Sequence, residues 1–301
     1  MCGLFGYSRQ AYYAQLKDKA YRSFDEDAVI LLVLQKRKII TGCGTDVLMV
    51  LLKEDLNKMG IKIGRDAMIE LLRKYNLLIK PKKKRRYITT LSDHPFYKYP
   101  NIIKDLTADH PNRIWVSDIT YLWIDGEGRF AHIMLLTDVY SRYIVGYHVS
   151  LDMTAESIVK GLDMALENTA EQDRKNLIHH SDRGVQYCSR LYIDRLGKDI
   201  KISMTENGDP LENAIAERIN RTIKDGFVFD QNTQINSFEE AQQKVKESIT
   251  TYNHLRPHSS ISYLTPAVAY QGKHELKRMW KTYYKKKPTH IEGAEGGIVE
   301  A

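Results

Sequence analysis

The sequence predicts an α/β protein built on a mixed five-stranded sheet with helices on both faces, preceded by a small all-helical region. Three observations carry this reading. Residues 113–150 are rich in Trp, Val, Ile, Thr and Tyr and are broken by Asp125-Gly126-Glu127-Gly128, the pattern of consecutive strands joined by tight turns. Between residues 154 and 254, helical periodicity alternates with two short apolar runs, as expected for strands separated by helices. Before residue 80, apolar positions recur at helical spacing with glycines between the runs.

Taken in order, Ser8 is placed to cap a helix through Ala11, Tyr12 and Tyr13. Asp25-Glu26-Asp27 puts acid at the start of a second helix that runs to about residue 40 and ends at Gly42 and Gly44. Asp46 opens a helix with Val47, Leu48, Leu51, Leu52 and Leu56 as its apolar side. After a glycine-containing break at 59–64, Met68, Ile69, Leu71 and Leu72 mark a further helix over 65–75. Two short helices about such a turn, followed by basic residues, form a helix-turn-helix pattern over about 45–79; a helical bundle with no nucleic-acid contact fits the same pattern. Strands are expected at 113–124, 130–139, 143–150, 176–180 and 200–204, and helices at 154–168, 190–196, 211–224 and 238–254. The organisation predicted is a helical DNA-binding region (1–86), a linker with Pro95 and Pro100 (87–109), a catalytic core (110–270) and a basic tail (271–301).

Charge is distributed unevenly. Residues 53–86 hold twelve Lys or Arg against four acids, a larger excess than the +7 of the whole chain, and 273–287 hold seven against one. Residues 110–230 reverse the sign, with fourteen basic and nineteen acidic side chains. Basic ends around an acidic middle suggest modules that hold a polyanion beside a carboxylate-bearing module. The run Lys80-Pro81-Lys82-Lys83-Lys84-Arg85-Arg86 is suited to counterion release from DNA. With 43% hydrophobic and 28% charged residues the composition excludes wholesale disorder. No apolar run approaches the roughly 18 residues of a bilayer span, so no membrane is expected. Cys2, Cys43 and Cys188 form no CxxC pair, which argues against a disulfide framework or thiolate zinc site and for a cytoplasmic protein.

Three acids stand out. Asp118 interrupts a run of β-formers, where a buried carboxylate without a partner is costly. Asp182 follows a short strand in His180-Ser181-Asp182-Arg183-Gly184, at an edge where α/β sites form, and could equally cap a turn. Glu217 lies mid-helix, with Asn213, Asn220, Arg221 and Lys224 on the same face at i, i+4, i+7, i+8 and i+11 counted from Asn213. Carboxylates from two strands and a helix could hold two hard divalent cations, the arrangement that promotes in-line displacement at a phosphodiester. Taken singly, Glu217 reads equally as a surface salt-bridge partner.

At these residues the chain resembles the DDE transposases of bacterial insertion sequences with a retroviral-integrase-like core, specifically the second-reading-frame protein of two-frame elements. The resemblance is carried by Trp115-Val116-Ser117-Asp118-Ile119-Thr120-Tyr121, His180-Ser181-Asp182-Arg183-Gly184-Val185-Gln186-Tyr187, Glu212-Asn213-Ala214-Ile215-Ala216-Glu217-Arg218, and Tyr252-Asn253-His254-Leu255-Arg256-Pro257-His258-Ser259-Ser260 with Leu264-Thr265-Pro266. It implies a ribonuclease H-like fold, Asp118, Asp182 and Glu217 as a catalytic metal-binding triad, and two Mg²⁺ ions for which Mn²⁺ can substitute. It also implies cleavage and strand transfer on double-stranded DNA (element ends and target), a homo-oligomer on that DNA, and fusion to or action with an upstream-frame protein. Lys224 matches a position that contacts DNA near the site; Arg221, Asn213, Asn220 and the basic residues Lys82, Lys83, Lys84, Arg85 and Arg86 are further DNA-contact candidates. The sequence departs from the family in its 34-residue spacing from Asp182 to Glu217, in Glu206-Asn207-Gly208-Asp209 where a more basic segment is usual, and in 41–46, where relatives carry arginines. A non-catalytic DNA-binding remnant or regulator of transposition is the alternative, and a nuclease acting on RNA–DNA hybrids a weaker third reading.

Other residues receive plainer assignments. His179 and His180 read as strand-end histidines bonded to backbone, Asp138 as a turn residue before Ser141-Arg142, and Trp115 and Trp123 as core. Arg256 and His258 fit either DNA contact or anchorage of the last helix.

Overall fold

The computed structural model describes residues 8–79, 94–104, 106–206, 210–228, 234–273 and 276. The basic run at 80–86, the loop at 207–209 and nearly all of the basic tail lie outside the described residues.

The five-stranded mixed sheet is present, in the order β3-β2-β1-β4-β5. β1 (Ile114–Ile124), β2 (Arg129–Asp138) and β3 (Ile144–Ser150) form an antiparallel meander, and β4 (Ile178–Ser181) and β5 (Lys201–Met204) run parallel to β1. The parallel pairs need crossovers. α4 (Ala155–Glu167), capped by the Thr154 side chain, and the single turn α5 (Glu171–Arg174) connect β3 to β4, and α6 (Arg190–Leu196) connects β4 to β5. Strand alternation sends Trp115 and Ile119 of β1, with Met134 and Leu136 of β2, into a core with α4 and α6. The other face gives Leu122, Ile124, Ile133 and Leu135 to α7 (Ala214–Ile223) and α8 (Phe238–Leu255). α4 lies so close to β3 that a Cβ at Gly146 would meet the Gly161 carbonyl oxygen at 2.2 Å, so glycine alone permits this packing. Among the described residues the last element is α9 (Pro266–Tyr270).

Two elements differ from expectation. Ser8 caps the first helix as expected, but α1 (Arg9–Ile39) is one continuous helix with no start at residue 25. Glu26 and Asp27 lie within it because α3 (Arg65–Lys74) supplies partners there: Lys74 pairs with Glu26, and the Tyr75 hydroxyl donates to Asp27 at 3.0 Å. The helix expected at 211–224 is divided into a 3₁₀ turn (Pro210–Asn213), α7 and a wider π-type turn (Lys224–Val228).

α2 (Thr45–Lys58) and α3 flank the Gly60 turn and share an apolar core with Val29, Ile30 and Val33 of α1. Phe227, beyond α7, packs on that core as well as on the sheet's. At this junction the Gly226 carbonyl accepts from the Gly42 N–H (2.8 Å) and the Thr41 hydroxyl (2.6 Å), and a Cβ at Gly42 would fall 2.3 Å from Gly226 Cα. The segment before β1 is bonded along β5: Met204 N–H donates to the Pro100 carbonyl and Ile102 N–H to Ser203 Oγ. That cover protects an edge strand.

Asn253 of α8 is buried and reads the backbone of β3 with both ends of its amide. Its Oδ1 accepts from the Ile144 N–H at 3.0 Å and its Nδ2 donates to the Ile144 carbonyl at 3.1 Å. Removing it strands two buried backbone groups, so Asn253→Ala is expected to cost about 2–4 kcal/mol in denaturant unfolding. A loss below about 0.5 kcal/mol would contradict this role.

Candidate active site

The parallel register of β1 and β4 sets the site. Ile114 pairs with Ile178, Trp115 with His179 and Val116 with His180. Two residues further along each strand stand Asp118 and Asp182, so the register that pairs the strands brings two carboxylates together. Asp118 lies opposite Leu135 of β2 and shares the face of β1 that packs on α7. Its Oδ2 accepts from Asn220 Nδ2 of α7 at 2.8 Å, and its Oδ1 from the Ile119 N–H at 2.9 Å. Asp182 Oδ1 accepts from the Gly184 N–H at 3.0 Å; the acid therefore does cap its turn, and that bond fixes the carboxylate.

Electrostatics couple the two. Burial and then the negative charge of Asp182 push the Asp118 carboxyl up to about 7, against the lowering effect of the Asn220 and Ile119 hydrogen bonds, with a smaller upward push from Glu217. The same pair raises the Tyr121 hydroxyl after burial. Glu217 is exposed; partial burial raises its carboxyl and the charge of Arg221 opposes the rise. Among the described residues no three Asp, Glu, His or Cys side chains are grouped so as to hold a metal ion. The structure thus joins Asp118 and Asp182, with Glu217 within electrostatic reach of Asp118 on the neighbouring helix.

The polar face expected on α7 divides by angle. At 100° per residue Asn213 and Asn220 fall within about 20° of each other, while Glu217 and Arg221 lie about 60° and 100° away from Asn220. The asparagine edge is turned into the sheet: Asn220 holds Asp118, and Asn213 Nδ2 donates to the Ser117 carbonyl at 3.0 Å. Both are at most 5% exposed, with their Nδ2 groups bonded to β1. Arg221 is exposed and Lys224 half-buried at the end of α7. Lys82, Lys83, Lys84, Arg85 and Arg86 lie outside the described residues. The role of Asn220 toward Asp118 was missed in the sequence, although its position one turn after Glu217 signalled it.

The histidines beside the site share hydrogen bonds with side-chain hydroxyls. His179 is buried, pushed down to about 3 by burial, and shares a hydrogen bond with the Tyr192 hydroxyl at 3.0 Å. His180 is pushed down to about 4, again by burial, with Nδ1 2.9 Å from Ser203 Oγ. Asp138 is the expected turn residue: it accepts from the Asn112 and Ser141 N–H groups and the Ser141 hydroxyl. Trp115 is core, donating to Asn112 Oδ1 at 3.0 Å. Trp123 is not; it is 39% exposed and edge-on to Phe130, on the face of β1 opposite buried Leu122 and Ile124.

The family described as Integrase core domain matches residues 108–210, and a second family of the same description matches 198–266. The chain is 33% identical over 281 residues to the insertion element IS600 uncharacterized 31 kDa protein of Shigella sonnei, covering 92% of this chain and 99% of that one. It is 29% identical over 206 residues to the putative transposase for insertion sequence element IS986/IS6110 of Mycobacterium tuberculosis, covering 67% of this chain and 73% of the relative. Among solved structures, the HTLV-2 integrase catalytic core domain in complex with magnesium aligns over 54% of this chain and 97% of that one, at 18% identity and a TM-score of 0.41.

Because the folded protein raises the Asp118 carboxyl, stability associated with its protonated form is present at low pH and is lost as pH rises through about 7. Metal-free Asp118→Asn is therefore expected to be more stable than the wild type at about pH 8, by roughly 1–3 kcal/mol, with the gain shrinking as pH falls toward about 5. Chemical denaturation at the two pH values checks the sign; a variant less stable at the higher pH would contradict the raised Asp118 carboxyl.

Proposed function

The chain belongs to the insertion-sequence transposases that carry an integrase core, and we propose that it cuts the ends of its element and joins them to target DNA in a magnesium-dependent polynucleotidyl transfer. The observation that carries this reading is the coupled carboxylate pair Asp118 and Asp182, tied through Asn220 to the helix that bears Glu217. A pair of hard oxygen donors whose charges repel each other fits a hard divalent cation.

Asp118, Asp182 and Glu217 would hold the ions. When bound, two magnesium ions supply activation of the attacking oxygen, stabilisation of the leaving oxygen and neutralisation of the phosphodiester. The protein's own part is positional and electrostatic. Asp118 would serve as a ligand in its ionised form, and Asn220 keeps its Oδ2 oriented. The Gly184 N–H holds Asp182 in place. Glu217, on the exposed side of α7, would complete the set. Arg221 and Lys224, one and two turns further along, would meet the backbone phosphates of the same strand. Double-stranded DNA, first the element end and then the target, is the proposed substrate, bound by a homo-oligomer.

Strand transfer on duplexes bearing an element end tests the reading directly. Asp182→Asn and Glu217→Gln are each expected to lose at least about 100-fold in rate, roughly 2.7 kcal/mol of barrier, while still binding DNA. Either variant keeping activity within a few-fold of the wild type would overturn the triad. DNA binding with no metal-dependent cleavage by the wild type would favour a regulatory remnant.

A further inference from the structure

A second polar site lies on the other flank of α7. Arg218 stands two positions from Asn220, about 200° around the helix, and so points away from Asp118. It lies within electrostatic reach of Arg142 in the β2–β3 turn and of His258 beyond α8. His258 is pushed down to about 3, first by burial and then by the charges of Arg142, Arg256 and Arg218; its Nδ1 lies 2.8 Å from the Ser260 hydroxyl that Arg142 also engages, and its ring 6.3 Å from that of Tyr252. Arg142 has a left-handed backbone (φ 66) and is held by Val139 and Ser260: its Nη1 donates to the Val139 carbonyl at 2.5 Å and its Nε to Ser260 Oγ at 3.0 Å. Arg256 caps the end of α8, with its guanidinium 5.7 Å from the centre of the Phe227 ring.

The donors here are not used up within the protein. Arg256 Nε and Nη1 are buried with no hydrogen-bond partner. Tyr252 is fully buried, and its hydroxyl likewise lacks one. Among the described residues no carboxylate lies within ion-pair distance of Arg142, Arg218 or Arg256; Asp138 acts on Arg142 only at longer range. Buried guanidinium and phenol donors left unmade cost stability. A ligand that repays that cost must be anionic and must offer several acceptor oxygens, as a phosphate does.

We propose that Arg142, Arg218 and Arg256 form a phosphate-binding site that takes a backbone phosphate of the DNA strand. The identification of that strand rests on the transposase reading above. α7 is about 10–12 Å across with its side chains, so the helix that faces Asp118 on one flank would grip the same DNA a few nucleotides away on the other. Such a contact positions the strand and carries no sequence preference.

The test measures binding of duplex DNA by the full chain across a salt series, for the wild type, Arg218→Ala and Arg256→Gln. Each variant is expected to weaken binding uniformly across sequences and to reduce the slope of log affinity against log salt by about 1. In a second arm, inorganic phosphate should raise the wild-type melting temperature by about 2–4 °C over chloride at equal ionic strength, and the rise should be absent in both variants. Arg218 is exposed and makes no ion pair among the described residues, so its alanine variant keeps the test sound if Arg256→Gln fails to fold. An unchanged salt slope in Arg218→Ala, or a phosphate effect that survives in it, would overturn the site. Loss of the slope in a protein that performs no strand transfer would instead uphold the site and overturn the catalytic reading.

Discussion

The repulsion between two carboxylates on adjacent parallel strands is the constraint around which the rest of this structure is arranged. Burial first, and then the charge of Asp182, push the Asp118 carboxyl up to about 7. The fold keeps the pair together by means that cannot relax. The register from Ile114–Ile178 to Val116–His180 fixes their separation, and cores on both faces of the sheet hold that register.

α7 is the element through which the pair is joined to the rest of the chain. Its asparagine edge serves β1, with Asn220 on Asp118 and Asn213 on the Ser117 carbonyl. Its apolar edge, Ile219 and Ile223, packs in the core shared with α8. Its exposed edge carries Glu217 and Arg221. Past its end, Gly226 takes the Gly42 N–H and the Thr41 hydroxyl, and Phe227 enters the core of the N-terminal helices. A displacement of those helices would be felt along α7, the helix whose Asn220 holds Asp118.

Much of this was legible in the sequence. The three meandering strands, the Thr154 cap and the α6 boundaries follow from period, turn residues and capping chemistry, which are local. Asp118 was conspicuous because a carboxylate among β-formers needs a reason. What the sequence did not reveal depended on partners far away in the chain. Helix α1 continues through Asp25-Glu26-Asp27 because Lys74 and Tyr75, nearly fifty residues on, engage two of those acids. A single polar face on α7 was read as one surface, whereas a turn of about 60° separates residues that face β1 from those that face solvent. The hydroxyls of Tyr192 and Ser203, which reach the histidines after Ile178 across the fold, had no local signal in the sequence.

Calorimetric titration of Mn²⁺ into the protein, in two buffers of different ionisation enthalpy at about pH 6.5, tests the central claim most directly. If Asp118 surrenders its raised proton to become a ligand, the heats will differ by up to about one proton released, and the difference will fade at about pH 8.5 and in Asp118→Asn. Heats that show no dependence on buffer, or a release that persists unchanged in Asp118→Asn, would contradict the account.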